Sequence, residues 1–143
     1  MAGIIVYYVV SPVHVRNAQL LAAELAPHAI RLAYDGESPW LNAEGMGELP
    51  FESVELTAAE FSQEVWSGDV CGVVLSTAQP RAIPMQLVAA AMARGLPTIA
   101  LEESNQIALN KGTVNNYVLP VDFVLAASDA ERQGMIAAGF PAR

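Results

Sequence analysis

The sequence predicts a three-layer α/β domain: a doubly wound, mainly parallel sheet with helices on both faces. Three observations predict it. Short, continuous apolar runs recur along the chain, as in strands covered on both sides. Between them lie stretches with apolar residues at helical spacing, bounded by capping residues and prolines. The 143 residues, 53% of them hydrophobic, suffice for one domain with a full core.

The first run, Ile4-Ile5-Val6-Tyr7-Tyr8-Val9-Val10, reads as a buried strand. Ser11-Pro12 ends it and opens a helix, with Ser11 as N-cap and Pro12 at the first helical position, where its missing N–H is not needed. Ala18, Leu21, Ala22 and Leu25 form the apolar stripe of that helix, and Pro27 stops it. Residues 28–33 read as a second, weaker strand. Residues 34–53, with Gly36, Pro39, Gly45, Gly47 and Pro50, read as one long connection, of a length that marks either a functional loop or a poorly ordered insertion. Thr57-Ala58-Ala59-Glu60 has capping-box spacing and predicts a helix burying Ala58, Phe61 and Val65, ended by Ser67-Gly68-Asp69.

Residues 70–75 are the next buried strand, followed by a helix over 84–94 that Gly95 closes, with Pro97 just beyond. Residues 97–101 form another strand. After a polar, irregular stretch over 102–122, a strand over 123–127 meets Ser128-Asp129-Ala130-Glu131, a second capping box, whose helix ends at Gly139. This alternation implies right-handed crossovers and a single Rossmann-like domain over residues 1–143.

Composition excludes several functions. Seven Lys+Arg against 15 Asp+Glu give a net charge of −8, without the basic cluster that nucleic-acid binding requires. The one cysteine, Cys71, can form neither an internal disulfide nor a cysteine metal cluster, which suits a reducing compartment. The first apolar run is too short for a membrane span and lacks the preceding Lys or Arg of a signal peptide, so a cytoplasmic protein is expected. His14 and His28 lie on different elements without metal-ligand spacing, so no metal is expected. Gly-x-Gly-x-x-Gly, the P-loop and Gly-x-Ser-x-Gly are all missing, which leaves no dinucleotide fingerprint, no expected cofactor and no usual hydrolase nucleophile.

In doubly wound sheets, ligands collect outside the carboxyl ends of the strands, where strand order reverses. His14 falls in the first turn of the helix after the first strand. There the positive end of the helix dipole disfavours imidazolium, so the ring is either a base or substrate contact, or an ordinary capping histidine. Glu102, Glu103, Asn105 and Gln106 follow a strand and can orient His14 or bind sugar hydroxyls; a solvated loop has the same composition. Asn115 and Asn116, with Lys111, Gly112 and Tyr117, suit polar ligands. Ser76, Thr77 and Ser128 can donate to an anion at helix N-termini or serve as caps. Trp40, in the long connection, is a candidate for ligand or partner contact, whereas Trp66 reads as packing.

Three segments resemble the N-terminal half of GT-B-type glycosyltransferases, the superfamily that includes the UDP-N-acetylglucosamine 2-epimerases. They are Ser11-Pro12-Val13-His14-Val15-Arg16-Asn17, Gly95-Leu96-Pro97-Thr98-Ile99-Ala100-Leu101-Glu102-Glu103, and the stretch from Val121 through Ser128 and Glu131 to Pro141. The likeness spans nearly the whole chain in pattern, without the glycine-rich turn after the first strand. It implies an acceptor-binding half, inactive alone, with Ser11 and Asn17 beside a sugar or glycan acceptor. His14 would be the base, with Glu102 or Glu103 as orienter or alternative base, and a second domain would hold the nucleotide-sugar donor without a metal. An epimerase would instead use a carboxylate for proton abstraction. High apolar content fits a face meant for that second domain or for a homo-oligomer. The alternative is a stand-alone Rossmann-like module that binds a small ligand or protein without chemistry. A receiver-like reading lacks the paired acidic residues after the first strand.

Overall fold

The computed structural model describes residues 2–44, 51–77, 81–101, 119–126 and 128–137. β1 (Ile4–Val9) lies between β2 (Ala29–Asp35) and β4 (Val70–Leu75). β3 (Glu52–Leu56) flanks β2, while β5 (Thr98–Leu101) and β6 (Phe123–Leu125) extend the sheet beyond β4. The order is therefore β3-β2-β1-β4-β5-β6, and every pair is parallel. This is the strand order of the Rossmann fold, and it reverses direction between β1 and β4.

Alternation along the strands builds two cores. Tyr7, Val9, Ile30 and Leu32 face α1 (Pro12–Leu25) and α2 (Pro39–Glu44), which contribute Val15, Ala18 and Leu41. Val6, Tyr8, Ala33, Val54, Leu56, Val73 and Leu75 face the opposite layer. There α3 (Ala82–Ala93) contributes Ile83, Leu87, Val88 and Ala91, and α4 (Asp129–Ala137) contributes Met135. The α3 helix ends as its sequence predicts: Gly95 takes φ +67°, and the N–H groups of Gly95 and Leu96 bond back to Met92 O and Ala91 O at 3.0 and 2.9 Å.

Residues 34–66 depart from the sequence reading. The long connection contains the last two residues of β2, all of α2 and the first two residues of β3. In β3, Val54 and Leu56 are buried while Glu52, Ser53 and Glu55 are exposed, the pattern of a strand covered on one face. The Thr57–Glu60 capping spacing closes a turn and not a helix. Glu60 N–H donates to Thr57 Oγ1 at 2.9 Å, Ala58 stays exposed, and only a 3₁₀ turn (Gln63–Trp66) forms, capped by Ser62. Phe61 is half-buried, and Val65 alone of the three expected core residues is fully buried. The α3 helix starts two residues earlier than expected, with Pro84 inside its first turn.

Arg31 fastens this crossover. Its side chain lies in the core-facing register of β2, and its guanidinium donates to Val65 O, Ser67 O and Glu52. A cation can be buried there because carbonyls and a carboxylate accept its protons. At the far edge, Phe123 and Leu125 of β6 are 42% and 54% exposed. The expected residues Ala127 and Gly139 lie outside the described residues. Among the described residues, no helix is long and apolar enough to cross a membrane.

Candidate functional site

The carboxyl ends of β1, β2 and β4 meet along one crest at the reversal point. β1 leaves through Ser11, whose Oγ accepts the His14 N–H at 3.4 Å and whose carbonyl accepts the Val15 N–H at 3.3 Å. His14 folds back over the strand end, so that its Nδ1 accepts the Val10 N–H at 3.2 Å. A ring nitrogen that accepts an N–H bond carries no proton, so neutral His14 holds its proton on Nε2. In this pose the ring lacks the exposed lone pair a base requires.

β2 leaves through Asp35, and Ser38 repeats the chemistry of Ser11. Its Oγ accepts the Leu41 N–H at 3.4 Å at the start of α2, with Pro39 in the first helical position, and its hydroxyl donates to Val10 O. Ser38 therefore ties the first helical turn after β2 to the end of β1, although it is only 2% exposed. Trp40 follows on this tied segment, 53% exposed.

On the α3 side of the crest, the Tyr8 hydroxyl donates to the Asp35 carboxylate. Burial pushes the Tyr8 hydroxyl far above the usual tyrosine range; the Asp35 charge adds to this, and the Arg81 guanidinium opposes it. Asp35 also accepts the Glu37 N–H at 2.8 Å. Tyr34 is raised as well, by partial burial and then by Glu55. Arg81 occupies the N-cap position of α3 and gives that helix no side-chain cap.

β4 leaves through Ser76, whose N–H donates to Tyr8 O at 3.1 Å. Its side chain is buried, and among the described residues its Oγ has no hydrogen-bond partner. Thr77 follows, half-buried.

The structure therefore gathers Ser11, His14, Ser76 and Thr77 at one crest, with Trp40 on the adjoining segment and Asn17 half-buried one turn further along α1. Ser128 is not part of this group. It stands at the start of α4 beyond β6, two strands from β4 and so on the order of 10 Å away. Glu102, Glu103, Asn105, Gln106, Asn115 and Asn116 lie outside the described residues. Sequence reasoning missed Tyr8, Asp35, Ser38 and Arg81. The available signals were a carboxylate closing the second apolar run and the Ser38-Pro39 pair, a copy of Ser11-Pro12.

Among the described residues, no three His, Cys, Asp or Glu side chains gather as a metal site. No protein-family model, curated protein or solved structure matches the chain. Fold and crest define its class: a Rossmann-like α/β domain with a polar switch point between β1 and β4.

Proposed function

We propose that this domain binds a sugar or glycan acceptor at the β1–β4 crest, as the acceptor half of a GT-B-type glycosyltransferase whose nucleotide-sugar donor is held by a second domain. The observation that carries the reading is the state of the α1 N-terminus. Nucleotide-binding members of this fold seat a diphosphate on free amides in a glycine-rich turn. Here Pro12 has no N–H, and the His14 and Val15 N–H groups are held by Ser11. A diphosphate would find little to bind. The Asp35 carboxylate and the hydroxyls of the crest suit polyhydroxylated ligands instead.

The His14 pose bears on chemistry. To deprotonate an acceptor hydroxyl, the ring must leave the Val10 N–H or exchange its tautomer, because Nδ1 is the nitrogen that now accepts. That observation favours the second reading, a binding module without catalysis, for the domain in this pose. Ligand-observed NMR against nucleotide sugars, free nucleotides and simple glycosides tests the proposal. Glycoside binding without nucleotide binding is the expected result. Tight binding of free nucleotides would overturn it.

A further inference from the structure

We infer that the α1 N-terminus and Ser76, at the adjoining end of β4, together form a seat for one small oxyanion, a carboxylate or phosphate monoester carried by the ligand. The inference rests on the crest being the ligand site and adds the ligand's charge.

Around this helix end the acceptors are already engaged. Ser11 Oγ and Ser11 O hold N–H groups, Val10 O holds the Ser38 hydroxyl, and the Nδ1 lone pair of His14 holds the Val10 N–H. What remains is donor chemistry. The Val13 N–H, in the first turn of the 14-residue α1, has no acceptor among the described residues. It lies at the positive end of the helix dipole, where negative charge is favoured.

The independent observation is Ser76. Its side chain is 2% exposed, and its Oγ is unpartnered among the described residues. In β4, Val74 faces α1 and Leu75 faces α3, so continued alternation turns Ser76 toward α1. Buried hydroxyls are normally hydrogen-bonded, and one left unpaired at a strand's carboxyl end is a group awaiting an acceptor. One N–H and one O–H match the two oxygens of a carboxylate or two oxygens of a phosphate monoester. They are too few for a diphosphate, which keeps this seat distinct from a nucleotide site.

The test is amide-detected NMR titration of this chain with three sugars that differ at one carbon: methyl β-glucuronide, glucose 6-phosphate and methyl β-glucoside. The expected result is a saturable shift of the Val13 amide with a charged sugar, whichever of the two it is. Ser76→Ala should weaken that binding about tenfold, the loss for one hydrogen bond to a charged group. Because Ser76 Oγ bonds nothing among the described residues, this variant should keep its melting temperature. Equal affinity for the neutral glucoside, or unchanged affinity in Ser76→Ala, overturns the oxyanion seat and leaves the acceptor reading standing. If none of the three sugars moves any amide, both fall.

Discussion

Replacing Arg31 by methionine isolates what holds the crossover from β3 to β4. Arg31 Nε donates to Glu52 Oε2 at 2.9 Å, while Nη1 donates to Val65 O at 3.1 Å and to Ser67 O at 2.6 Å. The two ends differ in environment. The Arg31 side chain is 5% exposed and that of Glu52 is 62% exposed, so the ion pair is half in water and contributes about 0–1 kcal/mol. The carbonyl bonds come from a buried cation, and each contributes about 1.5–3 kcal/mol. Methionine keeps the apolar stem but leaves both carbonyls without the donor, so Arg31→Met should lower unfolding free energy by about 3 kcal/mol or more. Glu52→Gln should lower it by less than about 1 kcal/mol. Urea unfolding followed by far-UV circular dichroism measures both. Equal losses in the two variants would show that the ion pair holds the crossover, and a loss under about 1 kcal/mol in Arg31→Met would refute the reasoning altogether.

Two further outcomes follow from the crest. The raised Tyr8 hydroxyl keeps its proton in the folded state after an unfolded tyrosine has lost it near pH 10, so above about pH 10 the unfolded state binds fewer protons and stability falls with rising pH. This contribution is complete below about pH 10 and declines by up to about 1.4 kcal/mol per pH unit above it; Tyr8→Phe should flatten the decline, and identical slopes in the two proteins would show that Tyr8 is not its source. Ser38→Ala removes both the α2 cap and the tie to Val10 O, costing about 1–2 kcal/mol, and should speed hydrogen exchange of the Leu41 amide. Unchanged exchange at Leu41 would count against the cap.

The sequence disclosed the doubly wound architecture because its central strands, β1 and β4, are continuous apolar runs, and because Ser11-Pro12 and Gly95 are unambiguous helix boundaries. It concealed β3, an edge strand with only Val54 and Leu56 buried, whose glutamates resemble loop. It suggested a helix at Thr57 since the capping bond is local and does form; continuing into a helix depends on packing, which local spacing does not report. Of the crest, His14 and Ser76 were visible as polar residues after strands. Asp35 and Tyr8 were not, because their pairing depends on the register that sets Tyr8 beside Ala33.

The place of β1 in the sheet has a consequence for the chain's own synthesis. Its partners are β2, about twenty-five residues on, and β4, whose pairing begins with Ile4 against Val70. An emerging chain can assemble the β1-β2-β3 half while one flank of β1 stays bare, since parallel pairing with β4 must wait for residues made much later. The crest is completed only at that closure. A ligand seated across Val13 and Ser76 would therefore bind only the finished domain, and by mass action would hold its two halves together.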